Sequence, residues 1–342
     1  MGRAAGPARH PRLPGLGARR GGAGPAHGER AGAPDRPLPA LSRRDHQGVN
    51  ADRAAGAWLV YAAALLAVLI WAATPPITKI AVQESGSEFA AMIRSLGAAL
   101  LVLPLAWRLR DMRPRGRGQW TDCALAALGG PIGFVFLFSY GLGLTSAAHA
   151  AAISASGPLF TGLFAFLVAR RWPGHGWWIG AGLGVVGGAI FAWQRHGLAG
   201  GDSLGDALIL VAFMASSAGY IAGTRLASAI GSLPATVWSQ MLGGLLLLPL
   251  APWLMPWQAG LEISARGWAA NAYMAVCATL LAYFFWNFAL ARGGAARIGA
   301  VQFAQPVLAL GLAWALLGEA IPPGIWLSVL VIVAGVALAQ KR

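Results

Sequence analysis

The side chains able to do chemistry in this chain are few, and most lie inside apolar sequence, where a polar group needs a reason to be. Lys79, Arg94 and His149 are carried within long hydrophobic runs, and ionisable groups in such settings are costly and mostly functional. Arg94 stands six residues into its run. Its guanidinium suits a substrate carboxylate or phosphate, and equally the carbonyls of neighbouring helices. Lys79 lies near the end of its run and can snorkel to Glu84 or Glu88. His149 stands two residues inside its run, so it reads either as a proton-linked group or as a wetted interfacial imidazole. Asp122 and Asp206 fall near helix starts, where a carboxylate favours the dipole. No carboxylate lies in mid-run, so the sequence does not indicate a buried-carboxylate proton relay.

The uncharged candidates cluster around prolines. Pro158 and Pro306 each leave the carbonyl four residues earlier without its amide donor, at Ser154 and Gln302. With Gln305, these make two polar-plus-proline faces suited to line a cavity, or merely kinks re-satisfied by neighbours. Pro75 and Pro76 interrupt another run beside Trp71, Thr74 and Thr78, and Ala215–Tyr220 is a small, polar stretch of the same character. Such interruptions form gates or expose backbone to substrate, whereas small residues otherwise permit close helix packing. Trp71 and Tyr220 are candidate aromatic walls. Thr279, Tyr283 and Asn287 follow at four-residue spacing on one helix face, and an amide there needs a partner from another helix or a ligand.

Other chemistries find no support. Cys123 and Cys277 lie in separate runs without metal spacing or a disulfide framework. There is no nucleotide loop, zinc motif or serine triad, so no catalytic residue, metal or cofactor is expected. Gly180, Gly184 and Gly188 repeat at small-xxx-small spacing, which favours internal helix packing over a homodimer seam.

The elements that must hold these residues are membrane helices. Of 342 residues, 57% are hydrophobic and 11% charged, where a soluble domain carries roughly 25% charged. Apolar runs cover 58–82, 88–107, 120–141, 147–168, 176–193, 204–224, 233–254, 267–289, 297–317 and 323–339. Each approaches the length needed to cross ~30 Å of hydrocarbon, and lipid permits only helices at this length and uniformity. Lys and Arg then set the orientation. With a cytoplasmic N-terminus, twelve basic residues fall on inside segments, among them Arg108, Arg110, Arg113, Arg115 and Arg117, against Arg195 and Arg266 outside. The expectation is ten transmembrane helices with both termini cytoplasmic.

Residues 1–53 differ in kind. They hold ten of the 26 Lys+Arg, ten Gly and seven Pro, without apolar periodicity, and read as a disordered tail. A start site placed too early, with Val49 as initiator, is one account of it. The net charge of +14 therefore reports topology and a tail, and nucleic-acid binding is not expected.

Sliding the chain by 148 residues aligns 144–148 with 292–296, Pro158 with Pro306, Pro104 with Pro252 and Gly187 with Gly335. Two repeats, 58–193 and 204–339, each hold five helices. An odd number makes the second enter from the opposite side, an inverted repeat of the kind found in secondary transporters.

The stretch Trp71–Lys79 (WAATPPITK) resembles the first-helix signature of EamA-type permeases of the drug/metabolite transporter superfamily. So do Arg94, the run from Ala147 through Pro158, and the run from Ala295 through Pro306 to Gly318-Glu319. One departure is Arg170-Arg171, where the first repeat of that family usually has a Gly-Glu pair. The resemblance implies a carrier of the bacterial inner membrane moving small metabolites by alternating access, with export of an amphipathic compound such as an amino acid expected. Uptake or exchange of a carboxylated or phosphorylated anion is the nearest alternative. A membrane-embedded enzyme or a sensor/assembly protein is the alternative from another class, and would need clustered catalytic groups or a soluble output domain.

Overall fold

A computed structural model describes residues 43–170, 174–194, 202–257, 262–293, 301 and 304–339. The chain divides into Met1–Val49 and Asn50–Arg342, and the second unit carries everything below. The disordered-tail expectation falls largely on residues outside the described ones.

Among the described residues the secondary structure is helical, without strands. In order, the first half gives α1 (Arg43–Ala72), α2 (Thr74–Ser85), α3 (Ser87–Arg108), α4 (Gly116–Ala127), α5 (Val135–Leu144), α6 (Ala147–Ser154), α7 (Gly157–Ala169) and α8 (His175–Gln194). The second half gives α9 (Ser203–Ile230), α10 (Ser232–Leu247), α11 (Ala251–Leu254), α12 (Ala265–Tyr273), α13 (Ala282–Gly293), α14 (Gln305–Leu317) and α15 (Pro323–Ala339). Six stretches are long and apolar enough to cross a membrane: Trp58–Ser85, Ser87–Arg108, Gly116–Leu144, Ser203–Ile230, Ser232–Leu254 and Ala265–Trp286. The pair α6 and α7, bent by 42°, makes a seventh if taken as one span. Helix α14 has 13 residues, about 20 Å of rise, so it does not cross alone. Among the described residues, then, six of the ten expected runs form spanning helices and a seventh is bent.

The interruptions have local causes. Pro75 and Pro76 sit in the first turn of α2, where a missing amide is harmless, so the helix restarts after a single turn residue, Ala73. Between α4 and α5 the segment Leu128–Phe134 is wound as a π-helix around Gly129, Gly130 and Pro131. A second π segment, Met274–Leu281, lies between α12 and α13. Pro158 and Pro306 occupy the first turns of α7 and α14. They begin new helices rather than kink continuous ones. Helix α9, by contrast, is unbroken, so of the two readings of Ala215–Tyr220 it is close packing that the structure follows. There a Cβ on Gly129 would lie 2.5 Å from the Ala215 carbonyl and 2.7 Å from the Gly219 Cα, so the small residues serve close packing.

Equivalent positions recur. Helices α7 and α14 begin 148 residues apart, as do α8 and α15. Helix α7 ends on Arg170 in the left-handed region (φ 50°), and α14 ends on Gly318 with φ 66°. Arg170 is the one non-glycine residue with positive φ among those described. It keeps the backbone of the missing Gly while carrying a Cβ. Helices α8 and α15 pack reciprocally: a Cβ on Gly187 would meet the Ser328 carbonyl and Ile332, and one on Gly335 would meet the Gly180 carbonyl and Gly184. Gly184 also faces Leu159, whereas Gly188 has nothing within 4 Å. Large apolar side chains such as Leu100, Val185 and Trp253 point outward, a surface suited to lipid.

Candidate functional site

Four of the candidates come together from four helices. Trp71, near the end of α1, meets Tyr283 of α13 edge-on with ring centroids 5.1 Å apart, and Trp286 at 5.5 Å. The Trp71 indole N–H donates to the Ala278 carbonyl at 3.1 Å. Ala278 lies in the second π segment, where Thr279 donates to the Met274 carbonyl five residues back. That altered winding displaces Thr279 from the face that simple helical spacing gives it. Tyr220 of α9, about half exposed, stands in the electrostatic neighbourhood of Tyr283 and Trp286.

Arg94 of α3 completes the group. Its guanidinium stands 5.6 Å over the Phe134 ring and within electrostatic reach of the Tyr283 phenol. The residue is only 8% exposed, and its Nε and Nη1 have no hydrogen-bond partner among the described residues. The alternative role of capping carbonyls is therefore not taken up by those two atoms. Phe134 ends the first π segment and stacks on Phe138, with Phe213 of α9 edge-on to both. Ser95 anchors that segment by donating to the Pro131 carbonyl at 2.6 Å. Both π segments thus contribute to one site, a common placement for such windings.

Among the described residues no hydrogen bond or ring contact joins the other candidates to this group. Ser154 closes α6 and donates to its own Ala151 carbonyl at 2.6 Å. Gln305 is the first residue of α14, half-buried. Gln302 lies outside the described residues, as do the side chains of Asn287 and Pro158; Pro306 is buried. Trp286 and Phe134 escaped the sequence reading because an apolar ring in an apolar helix carries no signal of its own.

A second polar cluster forms at the start of α6, where one of the two readings of His149 and the expected reach of Lys79 are set aside. His149 is fully buried rather than wetted. Its Nδ1 lies 2.9 Å from Asp206 Oδ1, and Thr145 donates to the same oxygen at 2.7 Å. Asp206 does sit in the first turn of α9, but it is a buried partner as well as a dipole group. Lys79 does not reach Glu84 or Glu88: it donates to the carbonyls of Leu142 at 2.6 Å and Thr145 at 2.8 Å. Glu319 accepts from the amides of Ala147 and Ala148 at 2.9 and 2.7 Å, closing the start of α6 from the far end of the sequence. At the opposite extreme of α9, Arg225 pairs with Asp122 of α4.

Comparison with known proteins places this geometry. The model of the EamA-like transporter family matches residues 58–193 and 203–340. The chain belongs to the EamA-like transporter family. It is similar to the uncharacterized transporter YdeK of Bacillus subtilis (strain 168), 30% identical over 74% of this chain and 87% of that one. It is also similar to a probable terminal-alkyne amino-acid exporter of Streptantibioticus cattleyicolor, 25% identical over 82% of this chain and 93% of the relative. A solved crystal structure shares the fold with a TM-score of 0.54 at 19% identity, covering 82% of this chain and 96% of that chain. The family match and the apolar helices make this a multi-pass membrane protein of a transporter family, and its relatives are named as transporters rather than enzymes.

Proposed function

We propose that this protein is a secondary carrier of the bacterial inner membrane that moves a small amphipathic metabolite with an anionic head, such as an amino acid. It crosses the membrane ten times, with both termini cytoplasmic, as two five-helix halves of opposite topology. The 148-residue spacing of helix starts and the reciprocal Gly187 and Gly335 contacts support that arrangement, since a two-fold axis exchanges contacts in this way. Transport proceeds by rocking of the halves about the site between them.

One observation carries the substrate class. Arg94 is buried with two guanidinium nitrogens unpartnered among the described residues, beside a wall made by Phe134, Trp71, Tyr220, Tyr283 and Trp286. A buried, unsatisfied cation is costly, and an anionic solute seated beside it would offset that cost. A planar carboxylate is the natural partner of a guanidinium fork, while the rings offer an apolar surface to the rest of the solute. The amino-acid exporter among its relatives accords with such a solute, and export is the direction we propose.

The test is counterflow in liposomes containing the purified protein, with a panel of radiolabelled amino acids. Wild type exchanges at least one of them, Arg94→Ala loses it, and Arg94→Lys retains a fraction. Undiminished exchange by Arg94→Ala would refute the binding role of this arginine.

A further inference from the structure

Three helices form a groove that the site above does not use. Helices α4 and α7 both pack against α9 and scarcely touch one another, and a cleft of about 370 Å³ runs between them. Its floor is the small-residue face of α9 from Ala215 to Ala222, and its walls include Leu128 of α4 with Phe164 and Val168 of α7. Large side chains flanking small ones give the cleft its depth. Leu128 and Val168 are exposed, so it opens on the outside of the bundle. Towards its middle the bundle closes the groove, where Gly129 crosses Ala215 and Gly219. The other end is Arg225, ten residues after Ala215. That separation is about 15 Å of helical rise, half of a ~30 Å hydrocarbon core. The groove is therefore one leaflet deep.

Positive charge collects at the Arg225 end. Arg225 donates through Nε, at 2.9 Å, and through Nη2 to a single carboxylate oxygen, Asp122 Oδ1, and its side chain stays 43% exposed. Arg170 follows Val168 by two residues and is exposed at the end of α7. Arg117 shares a face of α4 with Leu128, about three turns nearer the helix start. Asp122 offsets one of these cations, and the mouth of the groove keeps a positive excess. Apolar burial alone cannot select an occupant here, because lipid chains are as apolar as the lining. Selection falls to the charged mouth. A chain of one leaflet's length below an anionic head matches both parts, and basic pockets between membrane helices hold anionic headgroups in this way.

We propose that the groove between α4, α7 and α9 binds one anionic phospholipid, with an acyl chain along the floor and the headgroup phosphate at Arg225 and Arg170. It sits in the leaflet at which α4 begins and α7 and α9 end, the cytoplasmic one in the topology proposed above. The phosphate competes with Asp122 for the Arg225 guanidinium. The bound chain also abuts Leu128 and Gly129, which open the π segment that ends at Phe134 beneath Arg94.

The test is photolabelling of the purified full-length protein in phosphatidylcholine vesicles. A trace of phosphatidylglycerol, or in the control of phosphatidylcholine, carries a diazirine half-way along one acyl chain, and labelled peptides are mapped by mass spectrometry. The phosphatidylglycerol probe labels 164–168 and 215–222 several-fold more than the exposed face of α15 around Leu327 and Leu330, while the phosphatidylcholine probe labels both alike. Arg225→Gln lowers groove labelling about fivefold, the effect of one cation beside an anionic headgroup. Asp122→Asn raises it by freeing the guanidinium, which the loss of a purely structural ion pair would not do. Ala218→Phe fills the groove and abolishes the preference. Equal labelling of the groove and α15 by phosphatidylglycerol, the same preference with phosphatidylcholine, or labelling that survives both Arg225→Gln and Ala218→Phe would each overturn the proposal. So would a groove closed to both probes by a second copy of the chain, detected by cross-linking between copies. No substrate enters the measurement, so failed counterflow refutes the carrier reading and leaves the lipid site standing.

Discussion

Arg94→Met separates what this residue does for transport from what it does to stability. The substitution replaces a buried guanidinium by an apolar side chain of similar length. Two of its nitrogens lack partners, and each unsatisfied buried donor costs about 1–3 kcal/mol. Against this stands the contact over Phe134, of a kind that contributes about 0.5–2 kcal/mol. The balance runs from about 0 to 5 kcal/mol in favour of methionine, and its middle, about 1–4 kcal/mol, is also the gain found where buried ion pairs are replaced by apolar groups of similar volume. At roughly 2 °C per kcal/mol, thermal unfolding in detergent moves upward by about 2–8 °C while counterflow disappears. A bound amino acid at a hundred times its Kd adds about 2.7 kcal/mol to wild type and nothing to the variant. If Arg94→Met unfolds several degrees below wild type, the guanidinium is a structural tie and the reasoning fails.

Two stability predictions follow from backbone geometry. Arg170 occupies the left-handed region with φ 50°, so Arg170→Gly relieves a Cβ clash of about 1 kcal/mol and raises the melting midpoint slightly; a lowered midpoint would contradict this. Gly129→Ala places a Cβ 2.5 Å from the Ala215 carbonyl and forces α9 away from the first π segment, costing about 1–3 kcal/mol. Gly130→Ala meets nothing within 4 Å, and its melting curve matches wild type to within about 0.5 kcal/mol.

Much of the candidate site was legible because lipid makes polar residues conspicuous. In helices that are otherwise Ala, Leu, Val and Gly, an arginine or a tyrosine stands out without any structure, as Arg94 and Tyr283 do, while Trp71 and Tyr220 are marked by the proline doublet and the small, polar stretch beside them. Phe134 and Trp286 were not, since a ring among apolar residues looks like any lipid-facing side chain until its neighbours are known. His149 and Asp206 were both noticed, each with a local explanation. Their partnership spans 57 residues, and no local rule joins them. The same holds for Glu319, whose carboxylate closes a helix 171 residues earlier in the chain.

By itself the sequence determined the solvent of this protein and the places where its helices are interrupted. Hydrocarbon cannot hydrogen-bond to a backbone, so the lengths of the apolar runs leave helices as the one solution, and prolines mark several of the breaks. Tertiary structure decided how each break is used. Proline doublets and singlets begin helices instead of kinking them, two stretches without an expected break are wound as π segments that aim a carbonyl and a ring into one site, and the small residues of Ala215–Tyr220 make a tight helix crossing. It also decided which charges meet. Sequence spacing fixes neighbours within one helix, but the pairing of His149 with Asp206 and the isolation of Arg94 depend on how separate helices are rotated about their axes, which only packing sets.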